Sequence, residues 1–342
     1  MDFLRLPLDE AIGTILAHNV AGEGGRRILR KGRALTEDNI ETLRALGRRT
    51  VYVARLAPDD VDENAAARRI AEAASGGPLA GLRRSKETTG RVNLYAETRG
   101  VLRVDTAKLR ALNSLDGITL STLPQNTAVR QGKMVATLKI IPYAVPETRV
   151  REAEVVAGPS LLTLDPLVLK RIGLVLTGSP AARDRVVDGF EGSLGPRLEA
   201  LGASIDRTDF VPVDEDHEED RLAEVLSEHL DADRDLIIVA GDTAIMDRHD
   251  ITPRAVERAG AEIACFGVPV DPGNLLLIAY RDQTPIVGTP GCARSPKRNI
   301  IDLVLPRLLA GDRLTKEDLL DFGHGGLLED VPERPLPRSR LG

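Results

Sequence analysis

The chain has 342 residues, 42% hydrophobic and 29% charged, a balance that suits packed globular domains and excludes a disordered bulk. That length exceeds one ordinary core and favours two domains with a small module between them. A net charge of −6 argues against a general nucleic-acid binder, which needs surplus Lys and Arg against the phosphate backbone. Met1 to Ala11 lacks the basic start and apolar run of a signal peptide, and no stretch nears the roughly 18 apolar residues of a membrane span. The expected location is therefore cytoplasmic, with no membrane partner. The two cysteines, Cys265 and Cys292, form no Cys-x-x-Cys and accompany no His cluster, so neither a disulfide framework nor a structural zinc site is expected.

In chain order, Thr36 is placed to cap a short helix with Ile40, Leu43 and Leu46 on its apolar face; Gly47 stops it and Thr50 to Val53 follows as a strand. Asp59 to Ala74 is acidic at its start and Ala-rich afterwards, which predicts an exposed helix running into a linker at Ser75-Gly76-Gly77-Pro78. Between Gly90 and Pro146, strand-like runs at Gly100 to Val104, Ile118 to Ser121 and Met134 to Ile141 surround a helix led by Asp105-Thr106. This second module carries no catalytic constellation and reads as a packing or dimerisation unit, with Asn93, Lys133 and Lys139 as its candidate ligand contacts.

After Gly158-Pro159 strands and helices alternate: strand Arg171 to Leu176, helix Val187 to Leu201, strand Ser204 to Val211, a helix with Leu222, Val225 and Leu226, and strand Leu236 to Ala240. A helix from Thr252 to Ala259, strands Ile263 to Phe266, Leu275 to Tyr280 and Pro285 to Gly288, and a helix from Ser295 to Leu309 complete the series. This alternation, with the wholly apolar run Leu236 to Ala240, predicts an α/β domain whose mostly parallel sheet is covered on both faces. The expected organisation is a helix/strand segment at 1–78, a small α+β module at 79–158, the α/β domain at 159–325 and a mobile tail at 326–342.

In an open parallel sheet, ligands sit beyond the carboxyl ends of the strands, where loops enter helix N-termini that attract anions. Three loops directly follow strands: Thr177-Gly178-Ser179-Pro180, Gly241 to Asp250, and Gly288-Thr289-Pro290-Gly291-Cys292-Ala293-Arg294-Ser295. Thr252-Pro253 and Ser295-Pro296 are expected to cap and open the helices behind the last two. Arg248, Arg254, Arg294, Lys297 and Arg298 are cations suited to a phosphate; Asp242, Asp247 and Asp250 are carboxylates suited to Mg²⁺ or a ring N–H. Neither G-x-G-x-x-G after a strand nor G-x-x-x-x-G-K-[ST] occurs, which removes the dinucleotide and P-loop readings. Cys292 lies near cations that would lower a thiol pKa, but no histidine near it in sequence offers a base; His249, between Asp247 and Asp250, is a candidate base.

The succession Thr177-Gly178-Ser179, Val187 to Gly202, Val211-Pro212-Val213-Asp214, then Gly241-Asp242-Thr243 with Arg248 and Asp250-Ile251-Thr252-Pro253 resembles the molybdopterin-binding domain shared by molybdopterin adenylyltransferases and molybdotransferases. Val270-Asp271-Pro272-Gly273-Asn274 resembles the family's Pro-Gly loop before a strand, and Val287-Gly288-Thr289-Pro290-Gly291 its Gly-x-Pro-Gly loop; together these cover about Leu167 to Gly311. Leu6 to Ala11 and Leu29 to Val53 are similar to segments that flank the domain in molybdotransferases. The resemblance implies a three-layer α/β/α sandwich, a molybdopterin or molybdenum cofactor ligand, homo-oligomers, and as partner a molybdenum hydroxylase or cofactor nucleotidyltransferase.

It further implies ligand contacts from Thr177, Gly178, Ser179, Gly241, Asp242, Thr243, Arg248, Pro272, Gly273, Asn274, Gly288, Pro290, Gly291, Cys292, Ser295 and Lys297. Catalysis would fall to Asp242, Asp247 and Asp250, with magnesium on Asp242 and Asp247. The sequence departs from the family pattern at Asp242, where a glycine is common, at Ser179, where an acid is common, and at Cys292-Ala293 in place of Asn-Pro. These departures favour a binding or carrier protein over a magnesium-dependent adenylyltransferase or molybdotransferase; a scaffold with a vestigial pocket is the third reading.

Overall fold

The computed structural model describes residues 1–77, 80–213 and 218–328, and its chain divides into two compact units, Met1–Asp165 and Pro166–Gly342. Pro78 of the expected linker, Asp214 of the family-like segment and the expected tail beyond Leu328 lie outside the described residues.

The first unit opens with an antiparallel sheet of β1 (Asp2–Pro7), β5 (Thr50–Arg55) and β2 (Ile15–Leu16), beside the hairpin of β3 (Val20–Ala21) and β4 (Arg27–Leu29). Strand alternation sends Leu4, Leu6, Val51 and Val53 inward, against Ile40 and Leu43 of α1 (Glu37–Ala45). Thr36 caps α1 as its sequence predicts, in a capping box with Asn39. Further along, β10 (Ile118–Thr122), β12 (Met134–Ile140), β8 (Arg91–Ala96) and β7 (Leu82–Arg84) make a four-stranded sheet. Alongside it lie the sheet of β11 (Ala128–Val129), β9 (Gly100–Val104) and β14 (Leu162–Pro166) and the pair of β13 (Ala144–Pro146) with β6 (Asp60–Asp62).

Helix α2 (Glu63–Ala74), expected to be exposed, is instead core: Ala66, Ala67, Ile70, Ala71 and Ala74 bury against Val92, Leu94 and Leu138 of the sheet and Val150 of α4 (Glu147–Ala157). Small side chains allow close approach to the sheet while giving only a weak apolar signal in the sequence. Helix α3 (Thr106–Asn113) is capped by Asp105, as its sequence predicts. Two of the candidate ligand contacts here are engaged internally: Lys139 Nζ with Glu63 at 3.3 Å, and Asn93 Oδ1, which accepts from Thr137 at 2.7 Å.

The second unit is a three-layer α/β/α sandwich. Its sheet runs β16 (Ser204–Pro212), β15 (Arg171–Gly178), β17 (Leu236–Gly241), β20 (Thr284–Gly288), β19 (Leu277–Arg281), β18 (Glu262–Phe266). The first four strands are mutually parallel; β19 runs against both of its neighbours. Alternating residues feed two cores. Leu174, Leu176, Ile238 and Val287 pack under α5 (Arg183–Leu201) and α8 (Ile301–Leu309), where Phe190, Leu194 and Val304 are fully buried. Val175, Ile237, Val239 and Ile286 pack under α6 (Glu218–Asp231) and α7 (Ile251–Arg258). The short α9 (Lys316–Leu320) buries Leu319 in the α5/α8 layer.

Within the α6 layer, His229 is wholly buried, with Nε2 2.7 Å from Asp209 Oδ2 on β16 and Nδ1 without a hydrogen-bond partner. That geometry suits a neutral ring donating from Nε2. Burial, outweighing the adjacent Asp209 carboxylate, holds the His229 pKa below its ordinary 6.5. The unfolded chain takes up a proton near that value which the folded imidazole refuses, so this group destabilises the fold as pH drops below 6.5 and is neutral above it. In urea denaturation at two pH values either side, the stability lost on acidification should be smaller in His229→Gln than in the parent; equal losses would contradict the assignment.

Candidate functional site

The sheet order makes the site. From β15 the chain crosses to β16 on one side and then to β17 on the other, so a crevice opens where the carboxyl ends of β15 and β17 part company. Registers Thr177 with Gly241 and Val239 with Gly288 bring the ends of β15, β17 and β20 to one rim. With neighbouring strands about 4.8 Å apart, the outer two of these ends are separated by roughly 10 Å. Because β18 and β19 pair antiparallel and Leu277 lies opposite both Phe266 and Gly288, the loop carrying Pro272, Gly273 and Asn274 opens at the same rim. Gly241 is required by the close approach of the strands: a Cβ there would stand 2.4 Å from Thr177 Oγ1. Its neighbour Asp242 donates its backbone N–H to the Thr177 carbonyl at 2.9 Å.

Charge is concentrated at the mouth of this crevice. The Asp242 carboxylate accepts from Arg185 of α5 at 2.8 Å and lies 3.5 Å from Arg294 Nη1 in the loop after β20. The Arg294 guanidinium also sits over the Phe190 ring, 5.5 Å from its centroid. Helix α5 starts here, directly after a single turn at Pro180–Ala182, without a side-chain cap and with Asp184 in its first turn. Thr289, the residue after Gly288, is buried, and its Oγ1 has no hydrogen-bond partner.

The loop after β20 is braced from α5. Ser193 Oγ donates to the Ala293 carbonyl at 2.7 Å, and Arg197 donates to the carbonyls of Ser295 and Lys297, both at 2.8 Å. Buried Asn299 adds donations to the carbonyls of Cys292 and Lys297. None of these three braces stood among the sequence candidates, since they lie far from the loop motif or outside it. Each hydrogen bond has charge or burial behind it, so Arg197→Ala should release the loop. The expected outcome is faster amide exchange across residues 291–299 and a several-fold loss of ligand affinity; unchanged exchange there would refute the brace.

The sequence candidates divide accordingly. Thr177, Gly178, Gly241 and Gly288 end the parallel strands, Ser179, Asp242, Thr243, Pro290, Gly291 and Ser295 follow them, and Pro272, Gly273 and Asn274 lie on the neighbouring loop. Lys297 and Arg298 are exposed on the braced loop and have no carboxylate partner among the described residues. Arg248 is exposed and 3.8 Å from Glu257, while Arg254 pairs with Glu219 of α6 at 2.7 Å, so neither is a free cation. Asp247 accepts from the His249 ring at 2.8 Å on the exposed part of its loop. Asp250 caps α7, accepting from Ile251 N at 2.8 Å. Among the described residues no three His, Cys, Asp or Glu side chains converge as a metal site.

Two helix starts differ from expectation. Asp250, not Thr252, caps α7, and Pro253 falls at its third position; α8 begins at Ile301 rather than at Ser295, whose hydroxyl instead accepts from Lys297 N at 3.2 Å. A hydroxyl residue before proline is a frequent helix opening, but here an earlier carboxylate and the braced turn take precedence. The Cys292 thiol is shifted up by burial, which outweighs the nearby Arg197, opposite to the lowering expected from neighbouring cations.

Residues 173–310 match the family described as a probable molybdopterin binding domain, and residues 5–55 match a domain of unknown function. No curated protein matches the chain. Among solved structures it is similar to a molybdenum cofactor biosynthesis protein from Pyrococcus furiosus, at 14% identity over 94% of this chain and 65% of that one, with a TM-score of 0.25. It is also similar to a molybdopterin biosynthesis moea protein from Pyrococcus horikosii, at 12% identity over 91% and 75%, TM-score 0.29. A molybdopterin biosynthesis Mog protein from Mycobacterium ulcerans matches at 17% identity over 40% of this chain and 91% of that one, TM-score 0.27. With TM-scores below 0.5, these similarities add nothing to what the sheet order and the family match establish. The C-terminal unit of the chain, over residues 173–310, thus belongs to the molybdopterin-binding domain family.

Proposed function

We propose that the second unit binds molybdopterin, or the cofactor built on it, at the crevice between β15 and β17 and serves cofactor biosynthesis as a binding or carrier protein. The observation that carries this is the convergence of the strand-end loops at one topological switch point within the segment that matches the family. The phosphate of the ligand is received by Arg185, Arg294 and the uncapped start of α5, where Asp242 now occupies both guanidiniums. The pterin lies along Gly241 to Thr243 and Gly288 to Ser295, and the Thr289 hydroxyl is an unused hydrogen-bonding group on that side.

The competing reading is a magnesium-dependent molybdopterin adenylyltransferase or molybdotransferase, in which Asp242, Asp247 or Asp250 holds the ion. Binding is favoured because each carboxylate already has a partner: two arginines, a histidine and a helix N-terminus respectively. Homo-oligomers and delivery to a molybdenum hydroxylase or a cofactor nucleotidyltransferase belong to the same proposal and rest on the family resemblance.

The test is to purify the protein from a molybdenum-using host and identify any co-purifying pterin by fluorescence and mass. A stoichiometric pterin phosphate without magnesium-dependent ATP turnover supports the carrier reading. Turnover abolished by Asp247→Asn would establish the enzyme reading instead, and absence of any pterin, with none bound on titration, would leave the vestigial scaffold.

A further inference from the structure

Residues 3–52, which fall within the segment 5–55 that matches a domain of unknown function except at their start, carry a second candidate site, far in sequence from the strand-end loops. On the antiparallel pair of β1 and β5, Arg5 stands directly opposite Tyr52, and strand alternation puts Phe3, Arg5, Thr50 and Tyr52 on the face away from the core. Phe3, His18 and Tyr52 form a triangle of rings with centroids 5.6, 5.8 and 6.2 Å apart. Phe3 is 52% and Tyr52 48% exposed, in a chain with only five Phe, four Tyr and no Trp. Cross-strand aromatic pairing alone would account for contact between rings, but not for what lies beside them.

Beside Tyr52 opens a cavity of about 210 Å³ floored by Leu16, Leu43 and Val51. Its wall includes Arg5, Arg48 and His18, and no carboxylate lines it. Arg5 donates to Thr50 Oγ1 at 2.9 Å and lies 5.9 Å from the Tyr52 ring centroid; neither Arg5 nor Arg48 has a carboxylate partner among the described residues. In a chain of net charge −6, two arginines without an acid at one cavity are a local reversal of sign that favours an anion. The volume falls below the roughly 300 Å³ at which pockets for whole drug-sized ligands begin, so the cavity seats one end of a ligand while the rest lies on the exposed rings.

We propose that this face binds a planar heteroaromatic compound carrying a phosphate, its ring stacked on Tyr52 and its phosphate taken by Arg5 and Arg48. A flat π-system suits the exposed ring edge and face, and guanidinium groups suit phosphate oxygens. Mononucleotides and phosphorylated pterins share this chemistry. The site stands on its own residues, independently of the strand-end crevice.

The test is isothermal titration of the full chain with AMP, with neopterin phosphate and with inorganic phosphate, in the parent and in Tyr52→Ala, Arg5→Gln and Arg48→Gln. All three positions are exposed, so the variants should melt close to the parent, and Arg5 on β1 and Arg48 in the connection from α1 to β5 offer separate tests should one change disturb folding. The expected result is that AMP or neopterin phosphate binds at least tenfold more tightly than inorganic phosphate and that each variant weakens it tenfold or more. Whichever of the two binds names the source. Failure of both to exceed inorganic phosphate overturns the proposal, as does binding that all three variants leave unchanged, since it would then lie elsewhere on the chain.

Discussion

Gly273→Ala is expected to lower the melting temperature by about 10 °C, taking roughly 2–4 °C per kcal/mol for a unit of this size, and to abolish pterin binding. Gly273 has φ +133°, a conformation that residues with a side chain rarely adopt. An added Cβ would stand 2.2 Å from Ile300 Cγ2, 2.4 Å from Ile300 Cβ and 3.1 Å from the Ile300 backbone nitrogen. Ile300 is fully buried at the start of α8, so it has nowhere to yield. Backbone strain of about 1–3 kcal/mol and overpacking of a similar size together give roughly 3–5 kcal/mol. The loop that would have to move joins β18 to β19 at the rim of the proposed site, which links the stability loss to the binding loss. Scanning fluorimetry checks the first and pterin titration the second; a variant that melts within 2 °C of the parent, taken as about 1 kcal/mol or less, would contradict the packing described.

Arg294→Ala is expected to weaken molybdopterin binding by ten- to a hundredfold, the range of one charge-assisted hydrogen bond at roughly 1.5–3 kcal/mol. Arg185→Ala should act in the same direction but less, because its side chain is 61% exposed against 30% for Arg294. Asp242→Asn should do the opposite and tighten binding several-fold. The native carboxylate both occupies the two guanidiniums and repels an arriving phosphate, whereas an amide oxygen holds them only by weaker, uncharged hydrogen bonds and carries no charge to repel it. Equilibrium titration of the three variants with molybdopterin separates the outcomes. Loss of affinity in Asp242→Asn would mean that the carboxylate itself contacts the ligand or its metal, and would restore the enzyme reading at this residue.

The parallel sheet was readable because Leu236 to Ala240 and Ile172 to Leu176 carry no polar side chain on either face, the pattern of a doubly covered strand. The three loops were placed for a related reason, since each directly follows a strand run that the sequence marks. What escaped were long-range pairings. Arg185 with Asp242 spans 57 residues and Arg197 with Ser295 spans 98, and nothing local marks either arginine as different from its solvated neighbours. The burial of helix α2 escaped, though the helix itself did not, because alanines at the buried positions read as weakly apolar while their small size is what lets the helix lie on the sheet. The starts of α7 and α8 escaped because Thr252-Pro253 and Ser295-Pro296 are both plausible openings by capping chemistry alone.

The most direct test of the central claim is amide hydrogen exchange on the full chain with and without bound molybdopterin. Protection confined to Thr177–Ser179, Gly241–Asp250 and Gly288–Ser295 is the result that a ligand seated at the shared rim of β15, β17 and β20 requires. Protection of some other surface with these three loops unchanged would show that the pterin binds elsewhere and that their convergence serves the fold alone.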